Sequence, residues 1–119
     1  MEECNRSGYT EGLIVEIEFG SAEIEKLCLD DRAAQRKHGR KYADALSARY
    51  RQVSQAATAG DLLGQPGRWE VLRHAPLTMS GRITVKDRIV ISILDVDHKD
   101  IAAGNRIRIV RVTGHYEDR

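Results

Sequence analysis

The chain has 119 residues, 41% hydrophobic and 31% charged, a balance that suits one compact domain and leaves too little chain for two. No apolar run approaches the ~20 residues of a membrane span. The acidic start Met1-Glu2-Glu3-Cys4-Asn5 lacks the basic and apolar stretches of a secretion signal, so the sequence predicts a cytoplasmic protein with no membrane partner. Cys4 and Cys28 form no Cys-x-x-Cys pair and have no histidine at ligand spacing, so neither a metal, a cofactor nor a disulfide framework is expected. The net charge of +1 is unevenly spread: residues 1–31 carry −7, residues 32–74 carry +6 and residues 75–119 carry +2. Near neutrality argues against a polyanionic partner, but a concentrated basic segment weakens that argument, because salt screens charges beyond ~10 Å.

Residues 1–12 read as a flexible lead-in. Residues 13–19 end in alternating apolar and acidic positions, the pattern of a strand. Ser21 is a plausible N-cap for a first helix over residues 22–37, with Ile24, Leu27 and Cys28 as its apolar stripe and Glu23 and Glu25 in its first turn. Gly39 breaks the pattern, and a second helix is predicted over residues 40–59. There Tyr42, Ala45, Leu46, Arg49, Tyr50 and Val53 share one face. Arg49 is the polar exception, expected to lay its stem on apolar surface and reach water with its head. Gly60 fits a helix C-terminus, and residues 61–68, with Gly64, Pro66 and Gly67, read as a loop. Strands are predicted over residues 69–73, 81–86, 88–95 and 107–113, with a tight turn at Lys86-Asp87 and a polar connection over residues 96–106. Ile89, Ile91 and Ile93 on one face, with Val90 and Leu94 on the other, predict a central strand buried on both sides. The order strand, helical hairpin, four strands predicts an α+β domain with the hairpin on one face of a mostly antiparallel sheet.

Two segments carry a resemblance. One is Gly67-Arg68-Trp69-Glu70-Val71-Leu72-Arg73-His74, followed by Arg82-Ile83-Thr84 and Arg88-Ile89-Val90; the other is Gly114-His115-Tyr116. With the element order, they resemble the RelE/ParE toxin superfamily over residues 13–116, as one RelE-like domain followed by a tail at 117–119. The glutamate, the basic residue three on, the arginine opening the next strand and the terminal His-Tyr are similar to YoeB-type toxins. The stretch from Asp30 to Arg68 is similar to HigB-type toxins. The link at residues 75–81 departs from the usual Gly-rich form.

The resemblance implies the toxin of a bacterial type II toxin–antitoxin pair: a ribosome-dependent mRNA endonuclease, or mRNA interferase. Its implied partners are a cognate antitoxin, in a hetero-oligomer, and the ribosome with its mRNA. RNA can be cut without metal by its own 2′-hydroxyl, given a base, positive charge on the phosphorane and an acid at the 5′-oxygen. The resemblance gives Glu70 the base, Arg88 the phosphate clamp and His115 the acid, with Tyr116 stacking on a base or orienting the phosphate. Arg68, Arg73, Arg82 and Lys86 would assist in binding substrate. Trp69 and sheet burial are expected to desolvate Glu70 and raise its pKa. Plainer readings stand beside these. Glu70 and Arg88 also fit a cross-strand salt bridge, His115 and Tyr116 an exposed tail, and Trp69 the core. Arg36, Lys37, Arg40 and Lys41 fit either a solvated helical face or a contact with ribosomal RNA. Two other functions fit the same resemblance: a ParE-like gyrase inhibitor that cuts no RNA, and a catalytically inactive binding member.

Overall fold

The alternation Glu16-Ile17-Glu18-Phe19 forms strand β1 (Glu16–Phe19) in a computed structural model that describes residues 14–114. Ile17 and Phe19 turn to the core, and the glutamates to the other face. Ser21 caps helix α1 (Ala22–Leu29) as expected, its side chain accepting from the Ile24 N–H at 3.1 Å. The predicted first helix is broken in two. Asp30 closes α1 with its own N–H on the Lys26 carbonyl, and its carboxylate accepts from the Ala33 N–H at 3.1 Å to open α2 (Asp31–His38). An aspartate offers the backbone an acceptor outside the helical ladder, and here that offer divides the helix.

Helix α3 (Arg40–Gln55) buries Tyr42, Ala43, Leu46 and Val53. It stops short of the predicted end at residue 59. Thr58 and Asp61 form a capping box that starts a 3-10 helix (Ala59–Gly64) running from the predicted helix end into the expected loop, burying Ala59 and Leu62.

Strands β2 (Glu70–Val71), β3 (Thr78–Arg82), β4 (Arg88–Ile93) and β5 (Arg106–Arg111) complete one sheet in the order β1-β5-β4-β3-β2. The β1–β5 pair is parallel and the other three are antiparallel. Strand β2 is shorter than predicted, and β3 begins three residues earlier than predicted. The turn into β4 tightens at residues 83–87, where Ile83 and Thr84 both donate to the Asp87 carbonyl. The connection at residues 96–106 holds a 3-10 helix (His98–Ala103) that buries Ile101.

Ile89, Ile91, Ile93, Ile107, Ile109 and Met79 join the helices' Tyr42, Leu46 and Val53 in one core on one side of the sheet. Val90 is also fully buried, on the opposite side of β4, as the sequence predicts. The rest of that second face is polar, because alternate strand residues must share it. It carries Glu70, Ser80, Arg82, Arg88, Ser92 and Arg108. No helix among the described residues is long and apolar enough to cross a membrane.

Candidate functional site

The polar face is built from the β2 end inward. Gly67 and Arg68 both adopt left-handed backbone, at φ 113 and 54. A side chain at Gly67 would collide with the Arg49 guanidinium, which fills the space beneath it. Arg49 Nη1 donates to the Pro66 carbonyl at 2.8 Å, and Gln52 Nε2 donates to the same oxygen at 2.9 Å. The partly exposed head of Arg49 therefore also holds the loop, and partial burial lowers its pKa. Gln52 also accepts from Trp69 Nε1 at 2.8 Å, and the Arg82 N–H donates to the Gly67 carbonyl at 2.6 Å. These bonds fix where β2 starts, and therefore which of its residues face outward.

Trp69 falls inward and is buried in the core. Glu70, one residue on, falls outward with a side chain that is 59% exposed. The expected desolvation of Glu70 by Trp69 is absent for that reason: neighbours along a strand lie on opposite faces. Register places Glu70 beside Ser80 on β3 and Ser80 beside Val90 on β4. Arg88 opens β4 and reaches back across both strands. Its Nε donates to the Ser80 hydroxyl at 3.1 Å, and its Nη2 donates to Glu70 Oε2 at 3.2 Å. Only 20% of the Arg88 side chain is exposed, so the guanidinium lies along the sheet rather than waving in solvent.

Arg82 is the direct cross-strand partner of Arg88 on this face. Like charges placed opposite one another destabilise a sheet, and Arg82 has no acidic partner among the described residues. Arg68 and Arg73 are exposed at either end of β2, and Lys86 is exposed in the turn leading to Arg88. The structure thus joins Glu70 and Arg88 directly, sets Arg82 opposite Arg88, and leaves Arg68, Arg73 and Lys86 flanking them. His115 and Tyr116 lie outside the described residues. The chain is nonetheless led towards this site, because the Arg88 N–H donates to the Gly114 carbonyl at 3.0 Å and Asp87 Oδ1 accepts from the Gly114 N–H at 2.8 Å.

At the other end of the same face the charges are matched. Glu18 accepts from Arg106 at 3.1 Å and from Arg108 at 2.9 Å, and the Arg108 guanidinium holds its carboxyl below the usual carboxylate range. Arg36, Lys37, Arg40 and Lys41 are exposed on the end of α2 and the start of α3, in the helical layer and away from Glu70. Lys37 is paired with Glu23 at 2.7 Å. Sequence reasoning missed Ser80, which it left in the link before the predicted strand, and Asp87, which it read only as part of a turn. It also left His98 as a loop residue, whereas His98 Nδ1 accepts from the Leu77 N–H at 2.9 Å and ties down the link before β3. Among the described residues no three histidine, cysteine or acidic side chains gather as metal donors.

Solved structures of this architecture exist. A YoeB/ParE toxin from Agrobacterium tumefaciens superposes with a TM-score of 0.56 at 16% identity, over 85% of this chain and 99% of that one. The fold is the one seen in these YoeB-type toxin structures. A YoeB dimer from Staphylococcus aureus matches with a TM-score of 0.53 at 19% identity, over 86% of this chain and 98% of that one. The YoeB chain of a YoeB–YefM complex from the same organism gives the same values. No family model matches the sequence, and a search of curated proteins finds no match. The RelE/ParE likeness is therefore carried by three-dimensional arrangement across nearly the full length of those toxins.

Proposed function

We propose that this chain is the toxin of a type II toxin–antitoxin pair and acts as a ribosome-dependent mRNA endonuclease. The observation that carries the reading is the Glu70–Arg88 contact on the open sheet face, 3.2 Å long, with Arg82 opposite Arg88 and no acidic partner for Arg82 among the described residues. A carboxylate beside an excess of guanidinium is a base held next to a phosphate site.

In the free chain Arg88 is occupied by Glu70. An RNA phosphate competes for the same guanidinium, and its arrival leaves Glu70 unpaired next to the sugar. Glu70 then takes the proton of the 2′-hydroxyl. The 2′-oxygen attacks phosphorus, and the bond from phosphorus to the 5′-oxygen breaks. His115 gives its proton to that leaving oxygen. Arg88 and Arg82 offset the charge that gathers on the phosphorane. Tyr116 stacks on a base or orients the phosphate. The products are a 2′,3′-cyclic phosphate and a 5′-hydroxyl. Docked RNA also covers Glu70, which supplies the desolvation that the free chain lacks.

The same reading explains why the ribosome is needed. An in-line arrangement of a flexible RNA costs entropy that a small, open face with few aromatic side chains cannot offset. mRNA held in the decoding site is already ordered. The exposed Arg36, Lys37, Arg40 and Lys41 supply the contact with ribosomal RNA. The cognate antitoxin is the remaining partner, as the YoeB–YefM complex among the structural neighbours suggests. The Glu70–Arg88 contact favours this reading over gyrase binding, which requires no such convergence.

The test is to incubate purified chain with mRNA, with and without programmed ribosomes. Cutting within codons at the decoding site is expected only with ribosomes, and EDTA should not affect bond breaking once ribosome integrity is controlled. Rapid, EDTA-sensitive cutting of naked RNA overturns the mechanism. Growth arrest without RNA cleavage makes gyrase the leading target.

A further inference from the structure

On the polar face β3 presents a hydroxyl that the sheet covers completely. Ser80 is fully buried, and it stands between Glu70 on β2 and Val90 on β4. Pairing on both sides of β3 fixes its backbone. A buried hydroxyl costs free energy unless it is hydrogen-bonded, and the partner here is Arg88 Nε at 3.1 Å. Arg88 is placed differently. It opens β4 beside the turn, and its side chain must cross β3 to meet Glu70. Two contacts hold its guanidinium there, Nε on Ser80 and Nη2 on Glu70 Oε2 at 3.2 Å. An anion arriving at Arg88 can displace either one. Displacing Glu70 returns a carboxylate that is already 59% exposed to water. Displacing Ser80 strands a hydroxyl that water does not reach. The first exchange is the easier one.

We propose that Ser80 is a positioning residue for Arg88: it keeps the Nε edge of the guanidinium, so that the RNA phosphate docks on the Nη edge when Glu70 leaves. This rests on the proposed function. A guanidinium offers an oxyanion two forks, one made by Nε with an Nη and the other by the two Nη groups. With Nε taken by Ser80, the second fork is the one open to a phosphate, and Glu70 already occupies its Nη2 in the free chain. The clamp therefore stays aimed when its acidic partner is lost, and donors aimed in advance need no reorganisation as charge develops on the phosphorane.

The test compares cutting on programmed ribosomes by wild type, Ser80→Ala and Ser80→Thr, with Arg88 intact and in an Arg88→Lys background. Ser80→Ala should lower kcat by roughly ten- to a hundredfold, the scale on which a misplacement of about 1 Å acts, while KM for the ribosome stays unchanged. Ser80→Thr keeps the hydroxyl and should retain most of the activity. Arg88→Lys keeps the charge but has no fork to aim, so Ser80→Ala should add no further loss there. A readout without RNA is solvent exchange of the Arg88 Nε–H by NMR, which should stay slow in Glu70→Gln and become fast in Ser80→Ala. If Ser80→Ala does not fold, Ser80→Cys replaces it, since a thiol fills the same place but accepts only weakly. Wild-type cutting by a folded Ser80→Ala while Glu70→Gln is inactive overturns this assignment alone. An equal loss in both Arg88 backgrounds, an Nε–H that exchanges no faster in Ser80→Ala, or a folded Ser80→Thr as slow as Ser80→Ala does the same. A wild-type chain that leaves mRNA intact overturns the proposed function and this assignment together.

Discussion

Replacing Glu70 by glutamine separates the two meanings of its contact with Arg88. As a salt bridge, the pair contributes little. The separation is 3.2 Å, but 59% of the glutamate side chain is exposed, and exposed pairs stabilise by roughly 0.2–1 kcal/mol. Glutamine keeps an oxygen that can accept from Arg88, so part of that small sum survives. For a chain of this size, about 1 kcal/mol moves the melting temperature by about 4 °C, so Glu70→Gln should melt within about 4 °C of wild type. As a base, the same carboxylate is indispensable, because a carboxamide cannot take the 2′-hydroxyl proton; cutting should fall by roughly 10²- to 10⁴-fold. Both readouts belong on one preparation: a thermal melt, then mRNA cleavage on programmed ribosomes. A folded Glu70→Gln that cuts at the wild-type rate refutes the catalytic assignment. A melting point lowered by more than about 10 °C, with cutting unchanged, shows that the pair is structural. Arg88→Ala should be the costlier change in stability, because it also removes the partner of the buried Ser80 hydroxyl, a loss of about 1–3 kcal/mol.

Gly67→Ala should lower the urea midpoint by the equivalent of about 1–3 kcal/mol for the φ of 113 alone, and further for displacing Arg49 from the Pro66 carbonyl; an unchanged midpoint contradicts the lock described for that loop. Reversing Arg36, Lys37, Arg40 and Lys41 to glutamate should weaken ribosome co-sedimentation and reduce its salt slope by about one unit per lost phosphate contact, whereas a curve that does not move shows a merely solvated face. Burial pushes the Cys28 thiol from 9.0 up to about 12, and it also raises the Tyr42 and Tyr50 phenols. Their folded-state values lie above the unfolded ones, so this stabilisation is complete below about pH 9 and is lost as pH rises towards 12. A denaturation midpoint that holds constant from pH 9 to pH 12 would falsify it.

The sheet was legible because its signal is local. The five isoleucines at alternate positions in β4 and β5 all line one buried face. The errors fell where one side chain competes with the ladder. Asp30 divides a helix that periodicity alone continues, and the box made by Thr58 and Asp61 begins a new helical turn where Gly60 suggested only an end. At the candidate site, Glu70 and Arg88 stood out through their resemblance to a known pattern; spacing alone left them as a salt bridge. Ser80 and Asp87 were invisible for a different reason. Their roles depend on strand register and on which oxygen meets which amide, and neither is encoded in composition or period.

In the proposed function, a near-neutral chain acts on a polyanionic substrate, and the charge distribution on the open sheet face bears on that. At the β1–β5 end, Glu16 and Glu18 face Arg106 and Arg108, and each arginine lies within 4 Å of a glutamate, so that end is closed electrostatically. At the β2–β4 end, one glutamate among the described residues shares the face with Arg82 and Arg88, and Arg68 and Arg73 flank it. Among the described residues, the excess positive charge is confined to a patch smaller than the whole face. In the proposed mechanism, an anion bound at this patch relieves the repulsion between Arg82 and Arg88, and should stabilise the folded chain as well as dock on it. The same anion takes Arg88 from Glu70. In the proposed mechanism the base is therefore unpaired only when a phosphate is in place, and the Glu70–Arg88 contact of the free site is the contact that substrate must break.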